Sequence, residues 1–379
     1  MSGYFTTLSD ALRAAGVFQP CLVLDRDRLD RNIDLVKQRL APGLAVRLVD
    51  KSLACLPLLS HIAEALGTHR FMTFHPPITR AVLDALPDAD MLYGKPMPVG
   101  AARQAISSGT ADWSRVCWLI DSEERLAEYG ALAAELDVGL RIAFEIDVGL
   151  HRGGFAEPRA LSKALNVLPA RLRCGGVMAY EAHAPHIPGL FGGPKKALAE
   201  ASQRAAAFIA ALGEDQRRTL NIGGSKTALL HRGGMANEVS IGSAFVLPGD
   251  FDTPGLDGFQ PAAFIATPIL KVVEPMLPGP PAVTRLLQTV GRFPRKGCYL
   301  YGGKWMAEPV FPEGMETNGL LGLSSNQQFM GLPGDATTRS GDYAFLRPTQ
   351  SEAVLQQFGP IAVFSGGSLV DRWPALPMG

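Results

Sequence analysis

From about residue 20 to 247 the chain alternates between two spacings of hydrophobic positions. Short apolar runs of strand length recur: CLVLD, LAVRLVD, HRFMTF, DMLYG, RVCWLID, GLRIAFEID, CGGVMAY, LNIGG and EVSIGSAFVL. Between them lie stretches whose apolar residues repeat near every 3.6 positions, such as LPLLSHIAEALG, ITRAVLDALP, SEERLAEYGALAAEL and KKALAEASQRAAAFIAALG. Asp121 or Ser122 ahead of Glu123 and Glu124 is a helix start, because a short polar side chain caps the free N–H groups of the first turn. Counted from LAVRLVD there are eight strands, most followed by a helix. Eight such units over this length predict an α/β fold, a parallel (β/α)8 TIM barrel in preference to an open doubly wound sheet.

After residue 247 the texture changes. LPGDFDTPG and EPMLPGPPAV are rich in Pro and Gly, and helical periodicity fades. AAFIATPILKVVE, VTRLLQTVG, CYLYGGK, DYAFLRP and IAVFSGG read as β-type runs punctuated by turns. The expected organisation is a barrel over residues 1–247 and a mainly β domain over 248–379.

Composition narrows the classes. The 36 Lys+Arg balance the 36 Asp+Glu of the 379 residues, so no basic excess exists to displace counterions from nucleic acid or to hold an acidic membrane. A chain this long buries roughly three quarters of its unfolded surface, and its fold needs no disulfide or structural metal. The five cysteines, Cys21, Cys55, Cys117, Cys174 and Cys298, are scattered without CxxC spacing, which suits buried thiols in a reducing compartment. The N-terminal stretch lacks the basic start and apolar run of a signal peptide, and no apolar stretch reaches about 18 residues. A cytoplasmic protein with no membrane partner is expected.

In a barrel, the chemistry belongs at the C-terminal ends of the strands. Lys51 directly follows LAVRLVD, and a lysine against an apolar strand end is suited to forming an imine. GLRIAFEIDVGLHRGGF sets Glu145, Asp147, His151 and Arg152 around a glycine-rich exit, and GGVMAYEAHAPH sets Tyr180, Glu181, His183 and His186 at the next. NIGGSKTA offers Gly223, Gly224 and Ser225 as a loop for a phosphate, with the following segment read as helical. NEVSIGSAF adds Ile241, Gly242 and Ser243 beside it. Phosphate capture after strands 7 and 8 is the recurring barrel arrangement. An imine-forming lysine, phosphate donors and an aromatic with histidines nearby point to pyridoxal phosphate. His61 and His69 read as surface or core-edge residues and His151 as pointing outward, while His75, Tyr301, Lys304 and Asn326 to Gln328 are further strand-end or turn positions.

At these residues the sequence resembles the fold-type III pyridoxal-phosphate enzymes, the alanine racemase superfamily, and within it the branch of D-threonine aldolase and D-serine dehydratase. The segments carrying the resemblance are PCLVLDRDRLDRNI, RLVDKS, FEIDVGLHRGGF, AYEAHAPH, NIGGSKTA and NEVSIGS. The resemblance implies that Lys51 forms the imine with the cofactor. It places Arg152 near the pyridine ring, Tyr180 in contact with the cofactor, and Gly223, Gly224, Ser225, Ile241 and Gly242 around its phosphate. It also implies that His186 takes the proton of the substrate's β-hydroxyl, with His183 as a positioning residue, and that the protein is a homodimer. The chain departs from the branch in two places. Val49, Leu53 and Ala54 replace the His and Lys neighbours of the lysine, and no histidine follows His231, so the branch's C-terminal metal pair is missing. Gln350 and Glu352 stand in its place. They disfavour Zn²⁺ and are compatible with Mg²⁺, Mn²⁺ or Ca²⁺, which take oxygen ligands, or with direct contact to substrate. The implied activity is a pyridoxal-phosphate lyase acting on a small D-β-hydroxy-α-amino acid, with retro-aldol cleavage favoured. A β-eliminating dehydratase, an amino-acid racemase and a non-catalytic cofactor carrier are the alternatives.

Overall fold

The computed structural model describes residues 2–109 and 111–376. The chain opens with α1 (Ser2–Ala14), β1 (Cys21–Asp25) and α2 (Arg26–Arg39). Eight parallel strands then close on themselves: β2 (Ala45–Val49), β3 (Arg70–Thr73), β4 (Asp90–Tyr93), β5 (Val116–Ile120), β6 (Leu140–Ile146), β7 (Leu172–Ala179), β8 (Thr219–Ile222) and β9 (Glu238–Ile241). Closure is made by β9 against β2, with Leu48 opposite Ile241. Helices α3 (Leu56–Leu66), α4 (Pro76–Ala85), α5 (Val99–Ser107), α6 (Glu123–Glu135), α7 (Pro158–Asn166) and α8 (Gly193–Ala210) follow β2 to β7 in turn. This is the TIM barrel expected from the alternation, with the eight strands at the places read from the sequence. Ser122 caps α6, its hydroxyl accepting the N–H of Arg125 at 3.1 Å.

Two expectations are corrected near the end of the barrel. The segment after NIGGSKTA is not a helix of any length: it makes a single 3-10 turn, Ala228–Leu230, before a polar stretch in which Gly233 and Gly234 take positive φ. The strand read as EVSIGSAFVL likewise stops at Ile241 and turns through a 3-10 segment, Ser243–Phe245.

Toward the starts of the strands the barrel is filled by charge. Arg47, on β2 and only 1% exposed, donates to both carboxylate oxygens of Glu238 (2.6 and 2.9 Å), to Asp90 (2.9 Å) and to the carbonyls of Phe71 and Asp90. Arg141 adds a 2.6 Å bond to Asp90, and Asn221 donates to Glu238 at 3.0 Å. Burial alone would raise the Asp90 carboxyl, but the two guanidiniums hold it below the usual carboxylate range. Nearly every polar atom of this plug has a partner, which is the condition for charge to be tolerated in a core.

The remaining strands are β10 (Ala263–Val273), β11 (Lys296–Leu300), β12 (Ala307–Phe311), β13 (Glu316–Thr317), β14 (Phe329–Leu332), β15 (Tyr343–Pro348), β16 (Ile361–Ser365) and β17 (Ser368–Trp373), with α9 (Pro281–Thr289) after β10. Their sheet runs β13-β14-β11-β10-β1-β16-β17, and β15 pairs with β10 and β12. β1 therefore belongs to this sheet, antiparallel to β10 and parallel to β16. By compactness the described chain divides into one unit of residues 2–32, 246–252 and 260–375 and another of 33–245, 253–259 and 376. The core of the first is aromatic: Phe5 of α1 stacks on Phe345 (4.9 Å) and meets Phe264 edge-on (5.3 Å). VTRLLQTVG, read as a β-type run, is α9 instead, entered through Pro280 and Pro281.

Candidate functional site

Within the barrel unit, β2 ends at Val49 and the chain bends through a 3-10 turn, Asp50–Leu53, that carries Lys51. The Lys51 ammonium lies 4.7 Å from the centre of the Phe74 ring, which follows β3. Beside Lys51 in sequence, Asp50 is wholly buried, and neither of its carboxyl oxygens has a well-aligned hydrogen-bond partner. Burial pushes its carboxyl up to about 7, against the pull of nearby Thr73 and Lys51. Thr73 joins a short hydroxyl chain through Thr79 (2.7 Å) to Tyr93 (3.1 Å).

The exit from β6 brings Arg152 back to Glu145 at 3.1 Å, with its guanidinium 5.3 Å from the Tyr180 ring centre. Burial raises the Glu145 carboxyl, opposed by Arg152. One oxygen of Asp147 accepts the N–H groups of Gly149 (2.9 Å) and His151 (3.0 Å), and the other meets His151 Nδ1 at 2.7 Å. Although partial burial works against the charge, these bonds hold Asp147 below the usual range. The His151 imidazole is exposed.

After β7, Tyr180 faces the β8 exit so closely that a Cβ on Gly224 would lie 2.6 Å from its ring. Glu181 is fully buried beneath that exit. It accepts the Gly223 N–H (3.1 Å) and the Thr227 hydroxyl (2.5 Å), and it meets His231 Nε2 at 3.0 Å. His183 packs against Gly149, where a Cβ would lie 3.2 Å from its Nε2, and its buried Nδ1 has no partner among the described residues. His186 is exposed on a one-turn 3-10 segment, Ala184–His186.

The β8 and β9 exits meet at Ser225, whose hydroxyl oxygen accepts the N–H groups of Gly242 (3.0 Å) and Ala244 (3.2 Å). Gly242 is pressed against the turn that bears Lys51: a Cβ there would lie 2.8 Å from Val49 Cβ and 2.9 Å from Ser52 Cβ. Ile241 is buried as the last residue of β9.

The structure thus sets Arg152, Tyr180 and Gly224 in one contact chain and Ser225 and Gly242 against the Lys51 turn. Gly223 lies in the same loop, but its N–H is spent on Glu181 and the Gly224 N–H on Thr227 (3.1 Å), so neither faces a ligand. In the other unit, Gln350 donates to Asp250 at 2.9 Å and Glu352 accepts from Ser351 at 3.4 Å. Among the described residues, no three His, Cys, Asp or Glu side chains are placed to hold a metal ion. Gln328 is buried and accepts the Lys304 N–H, bracing a turn in which Lys304 takes positive φ. Sequence reasoning missed Phe74, Asp50 and the anchoring of the loop by Thr227 and His231. Of these only Asp50, an acid inside an apolar strand end, carried a visible signal.

The model of the alanine racemase N-terminal domain matches residues 24–248. No curated protein matches the chain by sequence. Solved structures share the fold over nearly its whole length. D-threo-3-hydroxyaspartate dehydratase from Delftia sp. HT23 superposes with a TM-score of 0.73 at 17% identity, covering 95% of this chain and 98% of that one. D-threonine aldolase from Filomicrobium marinum gives 0.72 at 18%, covering 94% and 96%. Alanine racemase from Bacillus anthracis gives 0.69 at 15%, covering 94% and 98%. Among the described residues, no helix is long and apolar enough to cross a membrane.

Proposed function

Since the chain belongs to the family of the alanine racemase N-terminal domain, whose members are pyridoxal-phosphate enzymes, we propose that it is a lyase of D-β-hydroxy-α-amino acids working by retro-aldol cleavage. The observation that carries the reading is the convergence of the Lys51 turn with the Ser225–Gly242 contact at the barrel mouth. Two backbone N–H groups, of Gly242 and Ala244, converge there on the Ser225 hydroxyl oxygen, and an anionic phosphate oxygen would take that oxygen's place as the hydroxyl swings to donate to it. The residues present therefore fit the cofactor: Ser225, Gly242 and Ala244 would hold its phosphate, Tyr180 and Arg152 would flank its ring, and Lys51 would supply the amine. Two of the structural relatives are by name enzymes of D-configured hydroxy amino acids, which supports that substrate class.

Bound pyridoxal phosphate supplies a carbonyl that condenses with amines and a ring that withdraws electrons from the bonds at Cα. The chain's own residues do the rest. His186 takes the proton from the substrate's β-hydroxyl as that oxygen becomes a carbonyl and the Cα–Cβ bond parts. The aldehyde leaves, and Lys51 Nζ returns a proton to Cα, giving glycine. His183, wedged against Gly149, fixes the segment that carries His186. Arg152, its charge balanced by Glu145, orients the ring against Tyr180.

Incubation of the loaded protein with D-threonine and related D-β-hydroxy amino acids is expected to yield aldehyde and glycine in equal amounts. His186→Ala should lower kcat by about 100-fold or more while leaving the absorbance of the bound cofactor in place. Keto acid with ammonia would make the protein a dehydratase, inverted chirality a racemase, and bound cofactor without product a carrier. Each of these outcomes overturns the proposal.

A further inference from the structure

The carboxylates around the barrel mouth are all engaged or hidden. Glu145 pairs with Arg152, Asp147 with His151 and its own loop, and Glu181 with the β8 exit. Asp121 lies 3.6 Å from Arg125, and Asp50 is buried. A lysine and a histidine at the same end have no such complement. The β3–β4 ladder pairs Thr73 with Tyr93 and is continued by the Gly94 N–H donating to the Thr73 carbonyl at 2.9 Å. His75 and Lys95 therefore leave the barrel side by side, next to Phe74, over whose ring Lys51 lies. Lys95 is half-buried and His75 exposed, and neither side chain has a hydrogen-bond or ion-pair partner among the described residues. Partial desolvation, then repulsion from Lys95 and Lys51, holds the His75 imidazole below its ordinary range. The Lys95 ammonium, without a complement and beside an imidazole that can donate an N–H, favours an anion.

Barrel closure decides which anion. In the closed order β2 to β9, β4 lies four strands from β8 in both directions, directly across the mouth from the Ser225 loop. A phosphate at Ser225 and Gly242, after β8 and β9, lies four and three strands round the barrel from Lys95, which leaves Lys95 for a second anionic group. We propose that Lys95, with His75 beside it, is the site that binds the substrate's carboxylate. This inference rests on reading the mouth as an amino-acid site. It assigns Lys95 the ion pair and His75 an N–H donor.

The test is calorimetric titration of the cofactor-treated protein with propionate, succinate and, as the uncharged control, propionamide. Lys95→Gln is expected to weaken carboxylate binding about ten-fold or more and to leave propionamide unchanged, and Lys95→Arg should restore most of the loss. Weakening of both acids places the α-carboxylate at Lys95, and weakening of succinate alone places a side-chain carboxylate there. In parallel, the His75 imidazole should titrate at higher pH when succinate is bound, because the anion offsets the repulsion. Equal affinities in wild type and Lys95→Gln, an equal loss for propionamide, or no binding of either acid to the wild type would overturn the proposal. A protein that takes up no pyridoxal phosphate but binds carboxylates through Lys95 would defeat the lyase reading and leave this one standing.

Discussion

Asp50 illustrates how one residue's surroundings set its chemistry. Its carboxyl is desolvated and poorly hydrogen-bonded, and its pKa rises from 3.8 to about 7 on folding. An acid raised in this way binds more protons folded than unfolded between those values, so the fold loses stability as pH climbs from about 4 to about 7. Asp50→Asn removes that penalty. The variant is expected to match the wild type near pH 4 and to exceed it at pH 8 by at most about 4 kcal/mol, three pKa units at roughly 1.36 kcal/mol each. Urea unfolding at the two pH values measures this, and a difference that does not change with pH would contradict it. At the same scale, the sequence shows which residues stand at strand ends, because strand and loop differ in pattern. It does not show which groups are already spent. Gly223 reads as a phosphate donor until the buried carboxylate of Glu181 is found to hold its N–H. That pairing joins two loops 42 residues apart in the chain and leaves no local trace.

At the scale of elements, the eight barrel strands were legible because each is an apolar run bounded by turns and followed by an amphipathic helix. The misread elements lack one of these features. VTRLLQTVG is rich in the β-branched residues typical of strands, yet Val283, Leu286, Leu287 and Val290 keep helical spacing and Pro281 sets the first turn. Strands such as β13, two residues long, and β12, with a register shift after Pro309, have too little pattern to stand out. The charged plug inside the barrel was also invisible, since Arg47, Asp90, Arg141 and Glu238 each look like ordinary surface charges in their own strands. Removing one partner of this network leaves the others buried and unpaired. Glu238→Ala is therefore expected to cost about 3–5 kcal/mol, whereas breaking the exposed Lys163–Glu123 pair by Glu123→Ala should cost less than about 1 kcal/mol. Comparable urea midpoints for the two variants would show that the plug is not satisfied in the way its geometry indicates.

For the whole molecule, hydrophobic patterning predicted the barrel and the later mainly β region, and the structure has both. It could not assign the start of the chain. α1 and β1 precede the barrel in sequence but build the other sheet and its aromatic core through pairing with strands more than 200 residues away. Long-range pairing of this kind is set by tertiary packing rather than by local propensity. The functional account rests on one claim, that a lysine on the turn after β2 holds pyridoxal phosphate whose phosphate lies against Ser225 and Gly242. The direct measurement is the visible absorbance of the protein after incubation with pyridoxal phosphate and removal of the excess, with Lys51→Ala and Lys51→Arg alongside. The account predicts an imine band in the wild type that neither variant shows, while both variants keep the wild-type unfolding midpoint. A wild type without the band, or variants that retain it, would contradict the account.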